Sequence, residues 1–480
     1  MNSSKEMNRN VVLTHSWKKV KLGEVLKESR IISENPSPDN RIKVRLNVLG
    51  VEKRPLENEI EGATKQFIRK AGQFIYGKQN FHKGAFGIVP QELNGFESSA
   101  DLPSFDVSSN CLPEWIFYFF KQGNYYLELS KIARGVATQR IHPEQIYEIE
   151  IPLPDIETQK QIISNINLLE QKGSGINTEL THQLDTVKQL RQAFLREAMQ
   201  GKLVEQNPND EPASELLQTI KAEKERLLNS SASLGRRSLE GGSQKLKPPT
   251  LKGRAIHPIK LEEIPFEIPA NWVWCRLGEI CTKIGSGSTP KGSNYSKGGF
   301  PFFRSQNIHD AGLVYEDIKF ISNEVHNQMN GTVVYANDVL LNITGGSLGR
   351  CALVPVDFQE GNVSQHVCII RSEQINSKFL HKIVLSPFFQ KFIFNSTTGA
   401  GREGLPKYNL EQLTIPLPPL AEQQRIVNKL EQLMSFCDEL EKSIKHSKEQ
   451  NEKLLQQVLR EALSGSSNEV SAEDLACVLA

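Results

Sequence analysis

Long apolar runs are missing from the 480 residues. The most apolar stretch, Trp115 to Phe120, is far short of the roughly 18 residues a membrane-spanning helix needs. The opening MNSSKEMNRN has no apolar segment, so no secretory signal is expected. Cysteine is scarce and unpatterned: Cys111, Cys275, Cys281, Cys351, Cys368, Cys437 and Cys477 are odd in number and never spaced Cys-x-x-Cys. That speaks against a disulfide framework or a zinc finger and for a reducing, cytoplasmic setting. An excess of charge is lacking too. The 57 basic and 56 acidic residues leave +1, so any nucleic-acid surface has to be a local patch. What remains, 38% hydrophobic and 24% charged residues, suits a globular chain of two to four domains.

Catalytic signatures are absent as well. A methyltransferase acting on an exocyclic amine needs Asp, Asn or Ser before Pro-Pro and an aromatic residue after it. Lys247-Pro-Pro-Thr250 and Leu417-Pro-Pro-Leu420 do not fit. A phosphate-binding loop needs Gly-Lys followed by Ser or Thr; Gly77-Lys78-Gln79 and Gly201-Lys202-Leu203 fail. Gly285-Ser-Gly-Ser-Thr-Pro290 is not a dinucleotide fingerprint, and the ten histidines form no cluster with metal-ligand spacing. These gaps point to a binding protein.

What is present is a copy of the chain within itself. Ile151-Pro-Leu-Pro154 returns as Ile415-Pro-Leu-Pro418, and Leu195-Arg-Glu-Ala-Met-Gln-Gly201 as Leu459-Arg-Glu-Ala-Leu-Ser-Gly465, both at an offset of 264. Gly135 matches Gly399 in the same way. Near the starts, Trp17 with Leu22-Gly23-Glu24 matches Trp272 with Leu277-Gly278-Glu279 at an offset of 255. The nine-residue difference lies in the first part of each repeat. Each half therefore has a variable N-terminal segment and a C-terminal segment of fixed length.

The fixed segments carry a four-three apolar spacing. In the second copy it runs through Ile426, Leu430, Leu433, Cys437, Leu440, Ile444, Ser447, Asn451, Leu454 and Val458. In the first it runs through Ile162, Ile166, Leu169, Gly173, Ile176, Leu180, Gln183, Val187, Leu190 and Phe194. This predicts two long helices with a coiled-coil seam, packed on each other as an antiparallel pair. The bland alternative is two separate amphipathic helices docked on separate cores. Gly173-Ser-Gly175 is expected to bend or fray the first helix. Leu216, Leu217, Ile220, Leu227 and Leu228 suggest a short helix after Gly201, followed by a basic Gly/Ser/Pro linker. In the second variable segment, Val339 to Thr344 and Arg350 to Val354 read as a strand pair around Gly345-Gly346. Val367 to Ile370 reads as a further strand and Phe379 to Phe394 as a helix. Glu114 to Leu129 is the corresponding aromatic helix of the first.

Two variable domains alternating with two equal helical segments resemble the specificity subunit of type I restriction–modification systems, over nearly the whole chain. The resemblance is carried by Ile415-Pro-Leu-Pro-Pro-Leu-Ala-Glu-Gln-Gln-Arg-Ile-Val427, by Leu190 to Val204 with Asn207 to Leu217, and by Ile264-Pro-Phe-Glu-Ile-Pro269 leading to Trp272. In the second variable domain Gly287-Ser-Thr-Pro290 and Phe300-Pro-Phe-Phe-Arg-Ser-Gln-Asn-Ile308 match the commonest target-recognition pattern; the first lacks both. The resemblance implies two α/β (α+β) target recognition domains, at 1–153 and 266–417, separated by two long antiparallel coiled-coil helices in a pseudo-twofold repeat. The helical spacers are 154–228 and 418–480, with the linker at 229–265. It implies a protein that selects a split, asymmetric duplex DNA site and does no chemistry itself. The implied partners are two methyltransferase subunits and restriction subunits, which would hold S-adenosylmethionine, ATP and Mg, with no cofactor on this chain. About 40 helical residues span roughly 60 Å, enough to set two domains at least one DNA turn apart, near 34 Å.

Sequence readout needs side chains on base edges, with Lys and Arg on phosphates. In the second domain the candidates are Ser286, Gly287, Ser288, Thr289, Lys291, Arg304, Ser305, Gln306, Asn307, Arg350 and Arg402. The glycines beside Thr289-Pro290 would let backbone N–H groups approach phosphate. In the first domain they are Lys78, Gln79, Asn80, Lys83, Arg134, Gln139 and Arg140. Each also has an ordinary reading as a solvated turn or surface charge, and Trp17, Trp272 and Trp274 are expected in cores. Two other functions stay open: a non-enzymatic coiled-coil scaffold that binds proteins only, and an enzyme such as a single-chain nuclease.

Overall fold

A computed structural model describes residues 17–55, 65–135, 139–237, 256–396 and 404–464. The chain forms two compact units, 1–182 with 444–480, and 183–443. The division falls inside the two long helices and not at the head–helix junctions near 153 and 417. The cause is packing. In the first unit Ile163, Ile166, Leu459 and Leu463 join the core of Trp115, Phe74 and Phe120; in the second, Leu195, Ile426, Val427 and Leu430 join the core of Trp272, Phe379 and Phe389.

Both units are built on one frame. In the first, a four-stranded antiparallel sheet has the order Leu26–Ser29, Ser104–Val107, Phe74–Tyr76, Phe86–Ile88. In the second the order is Lys283–Ser286, Val367–Arg371, Val339–Asn342, Cys351–Leu353. A short two-stranded ladder closes each frame, Lys19–Lys21 on Glu150–Pro152 and Val273–Arg276 on Thr414–Leu417. Even single hydrogen bonds recur at the two sequence offsets. Leu22 N–H donates to Ile149 O, and Leu277 N–H to Leu413 O, each at 2.8 Å. Where each long helix starts, a buried glutamine fastens it to the aromatic helix. Gln159 Nε2 donates to Pro154 O (2.8 Å) while its Oε1 accepts from Leu112 N (2.8 Å). Gln423 does the same with Pro418 O and Asn376 N, both at 3.0 Å.

The heads differ between these shared strands. By strand pairing and core face Ser29 and Phe74 correspond to Gly285 and Val339, 45 against 54 residues apart, and this connection holds the nine-residue difference. In the second head it supplies three strands of another four-stranded sheet: Lys319–Ile321, Phe300–Phe303 and Val333–Val334, with Gly361–Val363 as the fourth. In the first head the described residues make two two-stranded pairs instead, Ile42–Val44 with Val51–Lys53 and Gln66–Ile68 with Glu97–Ser99.

The helices are Ile156–Met199 and Leu420–Ser464, 44 and 45 residues. In the first unit they run antiparallel, since Gly173 and Asn177 meet Asn451 while Thr181 meets Lys448. In the second, Arg191 of the first helix reaches Asp438 at 2.6 Å and Glu441 at 3.1 Å of the second. Ile162, Ile166, Leu169, Ile176, Leu180, Val187, Leu190, Phe194, Ile426, Leu430, Leu433, Cys437, Leu440, Ile444, Leu454 and Val458 are all buried or half-buried, whereas the polar seam positions Gln183 and Ser447 are exposed.

Four expectations are corrected. The first helix does not break at Gly173-Ser-Gly175. Asn451 Nδ2 donates to Gly173 O and to Asn177 Oδ1, both at 3.0 Å, and holds that turn from the neighbouring helix. The expected helix Phe379 to Phe394 is two, Ser377–Leu385 and Pro387–Asn395. Pro387 cannot continue a helix, and Ser386 Oγ caps the second by accepting from Phe389 N at 3.3 Å. The helix from Glu114 ends at Lys121, because Gly123 and Asn124 turn left-handed, with φ of 53° and 59°. The helix after Gly201 runs from Ala213 to Arg237, into the first residues assigned to the linker; residues 238–255 of that linker lie outside the described residues.

A Cβ at Gly175 would meet nothing within 4 Å, and one at Gly173 would lie 3.9 Å from the Asn451 amide, an ordinary contact. Gly173→Ala and Gly175→Ala should each stabilise the protein by about 0.5–1 kcal/mol, the cost of glycine in a helix interior. Urea unfolding checks this, and an unchanged or lowered midpoint in both variants would refute it.

Candidate nucleic-acid interface

In the second head three connections gather at one end of the central sheet: Ser286 to Lys291, Thr344 to Arg350, and Ser364 to His366. The strand register puts them there, because Ser286 pairs with Cys368 and Asn342 with Val367. The glycine loop lies on the backbone of the third connection. Gly287 N–H donates to Val367 O (3.0 Å) and Ser288 N–H to Val363 O (3.2 Å), so neither is offered to phosphate as expected. A Cβ on Gly287 would fall 1.9 Å from Val363 O, which is why glycine stands there. The side chains of Ser288, Thr289 and Lys291 are exposed, as is Ser286.

The segment Arg304 to Asn307 divides in two. Asn307 is fully buried. Its Oδ1 accepts from Arg304 N at 3.0 Å, and its Nδ2 donates to Val314 O at 3.0 Å and Glu316 O at 3.2 Å. It shapes the turn and cannot pair with a base. Arg304 is half-buried, with Nη2 donating to Asp317 O at 2.9 Å. Ser305, also half-buried, accepts at its carbonyl from Asn342 Nδ2 at 2.9 Å. Gln306 and Arg350 are exposed. Arg402 lies outside the described residues.

Two residues that sequence reasoning passed over sit among these loops. Gln365 and His366 are exposed, yet both are anchored: Thr289 Oγ1 donates to Gln365 Oε1 at 2.8 Å, and Thr344 Oγ1 bonds His366 Nδ1 at 2.7 Å. Their only sequence signal is a polar triplet, Ser364-Gln365-His366, directly before the apolar strand Val367-Cys-Ile-Ile370.

The first head brings its candidates to the equivalent end. Lys78 N–H donates to Asp101 O, and Ile141 N–H to Lys78 O, both at 2.9 Å. Arg134 and Arg140 exchange backbone hydrogen bonds at 2.8 Å. Lys83 and Gln139 are exposed, and Gln79 and Asn80 half-buried, in the same set of turns. His82, held below its ordinary pKa by burial and then by Lys83, adds no charge at neutral pH. Asp101, which was not expected here, lies 3.6 Å from Arg140.

Other chemistry is not assembled among the described residues. No group of three or more His, Cys, Asp or Glu is placed to hold a metal, and no helix is long and apolar enough to cross a membrane. The six described cysteines are buried, and burial pushes the thiols of Cys111, Cys281 and Cys368 up to about 12.

Comparison with known proteins places this geometry in a family. The type I restriction enzyme EcoAI specificity subunit of Escherichia coli is 31% identical over 301 residues, 60% of this chain and 46% of that protein. The EcoEI specificity subunit, also from Escherichia coli, is 30% identical over 315 residues, 63% of this chain and 48% of that one. The matched stretch thus spans about half the length of these relatives. The fold resembles the crystal structure of the HsdS subunit from Thermoanaerobacter tengcongensis, with a TM-score of 0.53 and 18% identity over 94% of this chain and 98% of that one. A chain from a structural study of type I R-M complex assembly and conformational transition gives a TM-score of 0.64, also at 18% identity, over 94% and 99%. The pattern of the type I restriction modification DNA specificity domain matches residues 15–186 and again 269–449, so the chain belongs to that family and carries its domain twice.

Proposed function

We propose that this chain is the DNA-specificity subunit of a type I restriction–modification complex. Each head reads one half of a split, asymmetric duplex site, and the helical segments dock two methyltransferase subunits, with restriction subunits joining them. The chain makes and breaks no bonds itself. In this reading S-adenosylmethionine, ATP and Mg belong to the partner subunits, and the complex works in the cytoplasm. The observation that carries the proposal is the duplication: one hydrogen-bonded frame built twice, with different turns at the same end of each central sheet. A repeated frame suits a duplex met on opposite strands, and unlike turns suit unlike half-sites.

Mapping methyl-adenine across a genome with and without this chain tests the reading. The expected result is loss of methylation at one bipartite motif; an unchanged methylome would sink it. Half-buried Lys78 and exposed Lys83, Arg134, Lys291 and Arg350 would fix register on phosphates. Six to ten such contacts across the complex would cost about 10³- to 10⁵-fold in affinity between 50 and 200 mM salt. Binding of cognate DNA by the chain with its methyltransferase partner should fall on that scale, and a flat salt response would contradict it.

A further inference from the structure

We propose that the turn before the last-paired central strand, Val367–Arg371 in one head and Ser104–Val107 in the other, is where each head chooses a base. Gln365 and His366 make the contacts in the second head; in the first, Asp101 positions Arg140 for the same task. The inference rests on reading the chain as a DNA-specificity subunit.

Three observations support it. First, the two turns are structurally equivalent. Ile343 N–H donates to His366 O, and Leu405 N–H to Ile343 O; in the first head Lys78 N–H donates to Asp101 O, and Ile141 N–H to Lys78 O. His366 and Asp101 therefore hold the same place, although no resemblance of side chains links them. Second, the side chains are exposed but pre-oriented. Gln365 Oε1 accepts one hydrogen bond from Thr289 and keeps a second lone pair, and its Nε2, 3.5 Å from His366 Nε2, still has one proton to give. An outward carboxamide held this way is the group that pairs with adenine, donating to N7 and accepting from the N6 amine. The Arg140 guanidinium, 41% exposed and beside Asp101, offers the fork that fits guanine O6 and N7. Third, the turn is rigid. It is flanked by the buried strands Gly361–Val363 and Val367–Arg371 and backed by the glycine loop, so the contacts need little ordering on binding.

The equivalent turns carry a carboxamide and an imidazole in one head and, in the other, a carboxylate that holds Arg140 of the neighbouring segment. The two heads thus discriminate different bases from the same geometric position.

The test uses the full chain with its methyltransferase partner, competed against duplexes varied one base pair at a time and read by methylation sequencing. Gln365→Ala and His366→Ala should each relax preference at one position of one half-site by about 10- to 100-fold, leaving the other half-site unaltered. Asp101→Asn, which keeps the Arg140 fork but removes the charge that positions it, should relax one position of the other half-site. Gln365→Glu, which keeps the shape but only accepts, should move its preference toward cytosine, whose N4 amine donates. Variants that bind specifically with every preference unchanged would overturn the proposal. So would a uniform loss of affinity without a change in preference, which marks a phosphate contact. A wild-type complex with no sequence preference would instead overturn the subunit reading.

Discussion

Gly287→Ala should abolish recognition of one half-site and leave the protein folded. The new methyl would sit 1.9 Å from Val363 O, 2.4 Å from Val363 C and 2.6 Å from Ser364 O, and all three are backbone atoms that cannot swing away. The loop must lift off, breaking the Gly287–Val367 and Ser288–Val363 hydrogen bonds and the Thr289–Gln365 contact. The base contacts proposed for Gln365 and His366 depend on that stack. At about 1–3 kcal/mol each, specific binding should fall by about 100-fold or more. Gly285, two residues earlier, is the control: a Cβ there meets nothing within 4 Å, so Gly285→Ala should bind like the parent chain. Competition binding with the methyltransferase partner distinguishes them. Equal affinity for Gly287→Ala and Gly285→Ala would show that the loop has no part in recognition.

The repeated frame was legible in the sequence for a physical reason. The residues that make it, such as Leu22 and Leu277 at a ladder corner or Gln159 and Gln423 at a helix start, do the same job in both halves and keep their spacing. The seam was legible because helices of 44 and 45 residues repeat one apolar spacing many times. Its edges were not. Near the heads each helix buries a wider face, so Ile163, Leu195, Val427, Leu459 and Leu463 are buried although they lie off the four-three spacing. Helix ends were misplaced where one residue decides: Pro387 splits one expected helix, and Gly123 with Asn124 ends another.

The interface was half legible. Turn composition located the glycine loop and the Lys78-to-Lys83 and Arg134-to-Arg140 segments, and folding brings each set to one end of its sheet. Side-chain roles were not readable from residue type. Asn307 looks like a base reader but is spent on three backbone groups of its own turn. Gly287 serves close packing instead of phosphate approach. Gln365, His366 and Asp101 are distant in sequence from the residues they meet, separated from Thr289 by 76 positions in the case of Gln365, and no local pattern marks such pairs.

Arg69→Ala should unfold the first head more readily than any surface change, through a residue with no sequence signature at all. The guanidinium is 1% exposed. Nε donates to Ser98 Oγ at 2.7 Å, and Nη1 to Ser29 O at 3.1 Å and Ser104 Oγ at 2.8 Å. Nη2 donates to Ser99 O at 3.4 Å and Leu102 O at 2.9 Å. All five acceptors are neutral. Burial lowers its pKa to about 10, still far above neutrality, so the cation stays charged and is solvated by these oxygens and by the face of Phe67, 5.4 Å from its ring centroid. These bonds draw together the strand ending at Ser29, the strand starting at Ser104 and the turn from Ser99 to Leu102 that holds Asp101. Truncation would orphan several buried acceptors at about 1–3 kcal/mol apiece, so a net loss of about 3–5 kcal/mol follows once the retained Ser98–Leu102 and Ser104–Gln73 hydrogen bonds are allowed for. Arg69→Lys keeps the charge but loses the planar fork, and should fall between the two. Hydrogen–deuterium exchange on the full chain is the direct measurement. Arg69→Ala should speed exchange in peptides covering 66–107 and leave those covering 339–371 at parent rates. Unchanged protection in the first set would mean that the fork is not what holds the reading turn in place.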